Sequence, residues 1–196
     1  MIEIYSQNID DVWFSIAFEK QQIITSSFGV NRQLTLSNIL RNLPFNVSFE
    51  FFHEPSVFAR SILASLKDIY DGKGIDSNFP LALNRLPAYT QKTLKTTAKI
   101  PLGYLASYGS IAKAVGGSPR AVGNVMASNP FAPIIPCHRV VKSDFTLGGY
   151  GGGLKVKLEL LSREKRGFSS STEVEVNGHM LQVFPVEYSL GRLCLN

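Results

Sequence analysis

A chain of 196 residues with 44% hydrophobic composition is long enough to bury one sizeable core or two small ones, and too apolar to be disordered. Its formal charge of +5 is unevenly placed: residues 1–85 hold seven Lys/Arg against nine Asp/Glu, residues 86–196 thirteen against six, so the second half is the candidate surface for a polyanion. Apolar runs such as 12–18 and 134–136 are far too short to cross a bilayer, and no basic stretch followed by a signal core opens the chain, so a cytoplasmic protein without a membrane partner is expected. Two cysteines, Cys137 and Cys194, stand far apart with no Cys-x-x-Cys and no clustered histidines, which argues against a disulfide framework and against a metal site.

The first third alternates apolar and polar residues in short segments, 2–5, 12–18, 23–28 and 47–52, which read as strands of a small sheet. From Pro55 the spacing becomes helical, with Phe58, Ile62, Leu66 and Ile69 on one face and Gly72 and Gly74 past the end. Residues 71–85 mix Gly, Asp, Ser, Asn and Pro, the composition of a connector, which places a domain boundary near residue 85.

Beyond it, residues 87–99 read as a helix ended by Ile100-Pro101. Residues 110–115 form a short helix with Ser110 as N-cap, Gly116-Gly117 permits a tight turn, and Ser118-Pro119 starts a second helix over 119–127. Helix, glycine turn, helix is the outline of a helix-turn-helix, with Arg120 on the first turn of the second helix and the small residues Ala121 and Gly123 behind it. By itself the pattern is more often an ordinary helical hairpin in a helical core. After the biased stretch 169–172, segments 172–176 and 180–186 have the pattern of a β-hairpin.

Residues 129–141 read Asn-Pro-Phe-Ala-Pro-Ile-Ile-Pro-Cys-His-Arg-Val-Val, a proline-stiffened apolar segment delivering a thiol, an imidazole and a guanidinium in succession. Such rigidity suits a preorganised nucleophile. A thiol acts at neutral pH only as thiolate, a form that His138 or Arg139 beside Cys137 would favour. A strand would point His138 away from Cys137, whereas a turn or an intervening water would connect them. A buried structural cysteine remains the alternative on these residues alone.

Pro136-Cys137-His138-Arg139-Val140 resembles the reactive segment of the O6-alkylguanine-DNA alkyltransferases. The resemblance runs from Tyr104 to Glu164, through Ser107-Tyr108, Arg120-Ala121-Val122-Gly123, Asn129-Pro130, Gly148 to Leu154 and Glu164 on what reads as the last helix. It implies an α+β protein: a small N-terminal sheet-plus-helix domain of ribonuclease-H-like type over 1–85, a mostly helical, winged-helix-like domain with the helix-turn-helix over 86–168, and an extension of unassigned role over 169–196. It further implies a cofactor-free, single-use methyltransferase of DNA repair. A damaged guanine, or an O4-alkylthymine, rotates out of double-stranded DNA and its alkyl group passes irreversibly to Cys137.

In that frame His138 is the base acting through a water, Glu164 holds it, Tyr108 donates to the purine, and Arg120 takes the extruded base's place in the stack. Asn129 braces the turn, Tyr150 walls the pocket, the Val140 carbonyl and the Gly151 amide face the base, and Ala121, Gly123, Arg139 and Ser143 lie toward the DNA with Lys113 and Lys142. Each supporting residue also has a plain structural reading: Glu164 a surface carboxylate, Tyr108 a core aromatic, Asn129 a helix cap, Tyr150 a packing residue. Gly151 stands where many members have serine, Gly148-Gly149 replaces a common Gly-Asn, and Ala132-Pro133 also departs, which bears on the alkyl groups accepted. A monomer that binds lesions without reacting, or a helix-turn-helix regulator, is the alternative of a different class; a cysteine hydrolase using Cys137, His138 and Glu164 is a third, and lacks a glycine-rich oxyanion loop before the nucleophile.

Overall fold

The computed structural model describes residues 1–74 and 79–193; Cys194 and part of the connector expected over 71–85 lie outside them. The fold is mixed α+β and divides into two compact units, Met1–Tyr70 with Gly74–Arg85 and Pro130–Ile134, and Asp71–Lys73 with Leu86–Asn129 and Ile135–Asn196.

The first unit opens with three antiparallel strands, β1 (Ile2–Ile9), β2 (Val12–Glu19) and β3 (Gln22–Gly29). Two-residue turns join them at Asp10-Asp11 and Lys20-Gln21, all with φ between 48° and 62°, the geometry whose twist matches a hairpin. Helix α1 (Arg32–Arg41) follows, then the short β4 (Phe49–Phe51), which pairs in parallel with β1 to give the order β3-β2-β1-β4. Helix α2 (Val57–Tyr70) buries Ala59, Ile62, Leu63, Leu66 and Ile69, an i, i+3, i+4 stripe, against the sheet. Each fully buried aliphatic side chain contributes about 2 kcal/mol.

Helix α1 has no counterpart in the sequence reading. Its apolar residues mislead, because Leu34 and Leu40 are exposed while the polar Thr35 is buried. β2 is covered on both faces, and its Ser15 hydroxyl donates to Thr35 Oγ1 at 3.0 Å, so the hydrophobic alternation that signals a helix or strand is replaced by a buried hydroxyl pair. Pro130–Ile134 joins this unit for a similar reason: the Ser26 amide and the Thr25 hydroxyl both donate to the Pro130 carbonyl, at 2.9 and 2.7 Å, and the Ser26 hydroxyl donates to Ala132 O at 3.0 Å. A single cut at residue 85 therefore does not describe the division.

The second unit contains α3 (Ala88–Thr97), β5 (Tyr104–Ser107), α4 (Tyr108–Val115) and α5 (Pro119–Ala127). Ser107, not Ser110, caps α4: its hydroxyl accepts from the Ser110 amide at 2.9 Å, so the helix starts two residues earlier than the spacing suggested and carries Tyr108 in its first turn. Ser118 caps α5 with Pro119 at the first helical position, as the sequence indicates. A 3-10 turn (Cys137–Arg139) leads into β6 (Val140–Val141), and α6 (Leu154–Arg163) follows. It is not the last helix. The chain continues as the hairpin β7 (Thr172–Val176) and β8 (His179–Pro185), then α7 (Glu187–Leu193). β8 pairs antiparallel with β5 and β6 pairs in parallel with it, so the order is β6-β5-β8-β7, and a unit expected to be mostly helical has a four-stranded sheet. Among the described residues no helix is long and apolar enough to cross a membrane.

The turn between α4 and α5 depends on Gly117, whose φ is 115° and where a Cβ would lie 2.8 Å from the Tyr89 hydroxyl. Gly117→Ala should destabilise the protein by about 2 kcal/mol. By contrast Gly123→Ala, within α5 and with open space around the added carbon, should leave stability unchanged or raise it by about 0.5 kcal/mol. Denaturant unfolding of the two variants checks the pair.

Candidate active site

Cys137 is delivered by a short run of local hydrogen bonds. After α5 ends, the Asn129 side-chain amide donates to the Ile135 carbonyl at 2.9 Å. The Cys137 amide donates to the same carbonyl at 2.8 Å, and the Arg139 amide to Pro136 O at 2.9 Å. In the 3-10 turn so formed, successive side chains rotate by about 120°. Neighbours that a strand would point to opposite sides thus fan out, and Cys137 faces a pocket while His138 and Arg139 both reach Glu164.

Glu164 caps the C-terminal end of α6 and is 1% exposed, so it is no surface carboxylate. His138 Nε2 lies 2.8 Å from Glu164 Oε1. Arg139 grips the same carboxylate in a fork, its Nε 2.9 Å from Oε2 and its Nη2 2.9 Å from Oε1, while its Nη1 donates to the Ile100 carbonyl at 2.7 Å. Burial would push the Glu164 carboxyl up, but the His138 bond and charge, followed by Arg139, hold it at about 2. Arg139 is thus turned inward, not toward DNA as the sequence suggested, because the buried carboxylate needs a fixed cation. Burial lowers the His138 pKa despite Glu164, which leaves the imidazole neutral near pH 7. Its Nδ1 is buried without a partner among the described residues.

The pocket has a volume of about 510 Å³. Tyr108, Gly123, Cys137, Tyr150 and Gly151 line it, joined by Met126 and Ala127 of α5 and by Lys142, so the structure brings these sequence-predicted residues together. Arg120, at the exposed start of α5, and Ser143, in the exposed turn after β6, stand outside the lining, with Ala121 half-buried beside Arg120. The Tyr108 hydroxyl donates to the Gly149 carbonyl at 3.4 Å, and burial followed by the Cys137 charge raises its pKa. Burial also pushes the Cys137 thiol up, opposed by the Asn129 side chain, the charge of Lys157 and the backbone of the turn.

Lys157 is the residue that sequence reasoning missed. It is fully buried, and its ammonium donates to the carbonyls of Val140 at 2.6 Å, Leu147 at 2.5 Å and Gly149 at 3.4 Å, 6.0 Å from the centre of the Tyr108 ring. Burial lowers its pKa to about 8 against the opposing pull of Cys137. The Val140 carbonyl thus already accepts one bond and retains one lone pair. A signal was present: Lys157, Leu160, Leu161 and Glu164 occupy the i, i+3, i+4, i+7 stripe of α6, and two charged residues on an apolar stripe are expected to have partners.

The sign of the Glu164 contribution follows from its lowered pKa. The stabilisation is fully present above the ordinary carboxyl value of 4.5 and is lost as pH falls toward 2. Glu164→Gln, which leaves Arg139 uncompensated, should cost about 3 kcal/mol near neutrality. Denaturant unfolding across this range should show wild type and variant converging as the solution becomes acidic.

Residues 88–166 match the family model described as the DNA-binding domain of 6-O-methylguanine DNA methyltransferase. The chain is 36% identical over 111 residues to the methylated-DNA–protein-cysteine methyltransferase of Methanothermobacter thermautotrophicus, covering 56% of this chain and 63% of that one. It is 37% identical over 115 residues to the protein of that name from Saccharolobus solfataricus, covering 59% of this chain and 68% of the relative. The Mycobacterium tuberculosis O6-methylguanine methyltransferase structure is similar with a TM-score of 0.66 at 26% identity, covering 84% of this chain and 93% of that one. A structure of M. tuberculosis OGT in complex with DNA is similar at 25% identity with a TM-score of 0.66, covering 83% and 92%. With the cysteine, its histidine–glutamate pair and the glycine-turned helix pair in place, the chain belongs to the methylated-DNA–protein-cysteine methyltransferase family.

Proposed function

We propose that this protein reverses alkylation damage directly, moving the alkyl group from O6 of a guanine, or O4 of a thymine, in double-stranded DNA to Cys137. The observation that carries the reading is a cysteine facing a pocket and followed in the turn by a histidine whose Nε2 is fixed on Glu164 at 2.8 Å while its Nδ1 is left unused. In one displacement the sulfur–carbon bond forms as the carbon–oxygen bond breaks. The thiol proton passes to His138 Nδ1 through a water, and Tyr108 donates to N3 as charge builds on the departing guanine. The imidazolium so formed is stabilised by Glu164, much as in a hydrolase triad, though no acyl intermediate arises.

The thiol and imidazole are both neutral at rest, so deprotonation occurs on demand, and the buried Lys157 charge favours the thiolate as it appears. The reacting carbon on O6 cannot be approached in line within a stacked duplex, so the nucleotide must be extruded. In this reading Arg120, exposed on α5, fills the gap it leaves, and Ala121 and Gly123 let that helix approach the sugar-phosphate wall closely. A thioether is a poor leaving group, so each monomer repairs one lesion.

Intact-protein mass spectrometry with an oligonucleotide carrying one O6-methylguanine should show a single added methyl on Cys137, saturating at one per protein, and Cys137→Ala should transfer none. An unmodified mass with retained binding would instead mark a protein that recognises lesions without reacting. Because burial lowers the His138 pKa, the base stays neutral as pH falls to the ordinary histidine value of 6.5, and the transfer rate should decline only below it. A stopped-reaction pH profile with its midpoint above that value would contradict the assigned base.

A further inference from the structure

The segment after Glu164 falls almost wholly beyond the family match, which ends at residue 166, yet it is built into the unit that holds the pocket. β8 pairs with β5, and β5 leads directly into Tyr108. The Asn177 amide in the β7–β8 turn donates to Thr96 Oγ1 of α3 at 3.2 Å. The Glu187 carboxylate accepts from the backbone amides of Arg166 at 3.1 Å and Gly167 at 2.6 Å. Val186, fully buried, and Leu190 pack in one apolar cluster with Leu105, Val141, Leu147 and Leu161.

This segment grips the stretch that connects β6 to the pocket loop. Phe145 has a φ of 65°, which a bulky residue keeps only where its surroundings hold it. Its ring lies edge-on to Phe184 and Tyr188, with centroids 5.0 and 5.3 Å away, and its carbonyl accepts from the Ser189 hydroxyl at 2.5 Å. Two residues on, Leu147 is buried in the cluster, and residues 148–153 then have glycine at every position but Tyr150. A Cβ at Gly149, Gly151 or Gly153 would touch nothing. Tyr150 is the one side chain such a loop can pack, and its backbone is entropically costly to order; beyond the bonds of Lys157 and Tyr108 to the Gly149 carbonyl, its placement depends on how its two ends are held. One end is the start of α6, and the other is Leu147.

We propose that the C-terminal hairpin and α7 clamp Phe145 and Leu147, and so position the glycine loop and Tyr150 at the Cys137 pocket. Phe184, Tyr188 and Ser189 are then positioning residues for alkyl transfer, although none of them lines the pocket. The proposal rests on the alkyl-transfer reading. The full-length double variant Tyr188→Ala/Ser189→Ala tests it, with Tyr188→Phe, which keeps the ring, as the conservative control; Tyr188 is 37% exposed, so little core packing is lost.

At saturating O6-methylguanine duplex the rate constant for methylation of Cys137 in the double variant should fall at least about tenfold. Duplex affinity should be unchanged, amide hydrogen exchange over residues 145–153 should accelerate, and Tyr188→Phe should transfer at the wild-type rate. A folded double variant with wild-type rate and wild-type exchange overturns the clamp, as does faster exchange spread evenly through the whole unit. If the double variant does not fold, Ser189→Ala alone, lacking only the hydroxyl on Phe145, is read by the same criteria. Wild-type protein that transfers no methyl would refute the proposed function, while the exchange readout would still decide the clamp.

Discussion

A carboxylate removed from water at the carbonyl end of a helix is disfavoured twice, by desolvation and by the helix dipole. Glu164 bears both costs at the end of α6, and two groups make its position tenable: the imidazole of His138 and the forked guanidinium of Arg139. That requirement ties the end of α6 to the 3-10 turn 26 residues earlier in the chain. Because both partners come from consecutive residues, satisfying the carboxylate also fixes how the turn is rotated, and the turn's rotation aims Cys137 at the pocket. The direction of the thiol is thus a consequence of neutralising a charge that does not touch it.

Lys157 works in the same way from the other side. One buried ammonium collects the carbonyls of Val140, Leu147 and Gly149, so the strand after the cysteine and the loop that closes the pocket share a single donor. The cost of burying the charge shows in its pKa of about 8, and its charge opposes the rise that burial imposes on the Cys137 thiol. Structure and reactivity are coupled here through electrostatics at short range in a medium with little water to screen them.

The extension beyond Glu164 adds apolar burial where the pocket loop has none of its own. Glycine lets residues 148–153 adopt their path, including a φ of 90° at Gly153, but supplies no packing to keep them there. The aromatic contacts of Phe184 and Tyr188 on Phe145 supply packing just before that loop begins.

What the sequence determined by itself was local. The strand alternation of the first third, the stripe of α2, the Ser118-Pro119 start of α5, the hairpin over 172–185 and the succession of thiol, imidazole and guanidinium over 137–139 are all written in residues a few positions apart, because capping, turn formation and amphipathic spacing act over that range. Tertiary structure decided whatever depends on partners distant in sequence. Thr35 and Lys157 look solvent-exposed by type and become buried because Ser15 and three backbone carbonyls meet them. Arg139 looks like a phosphate ligand and turns inward because Glu164 is there. A tail with no readable role becomes part of the second unit's sheet because β5 has an edge left to pair. Hydrogen-bond satisfaction and charge neutralisation in the interior are properties of the assembled chain, and no window of sequence contains both halves of those pairs.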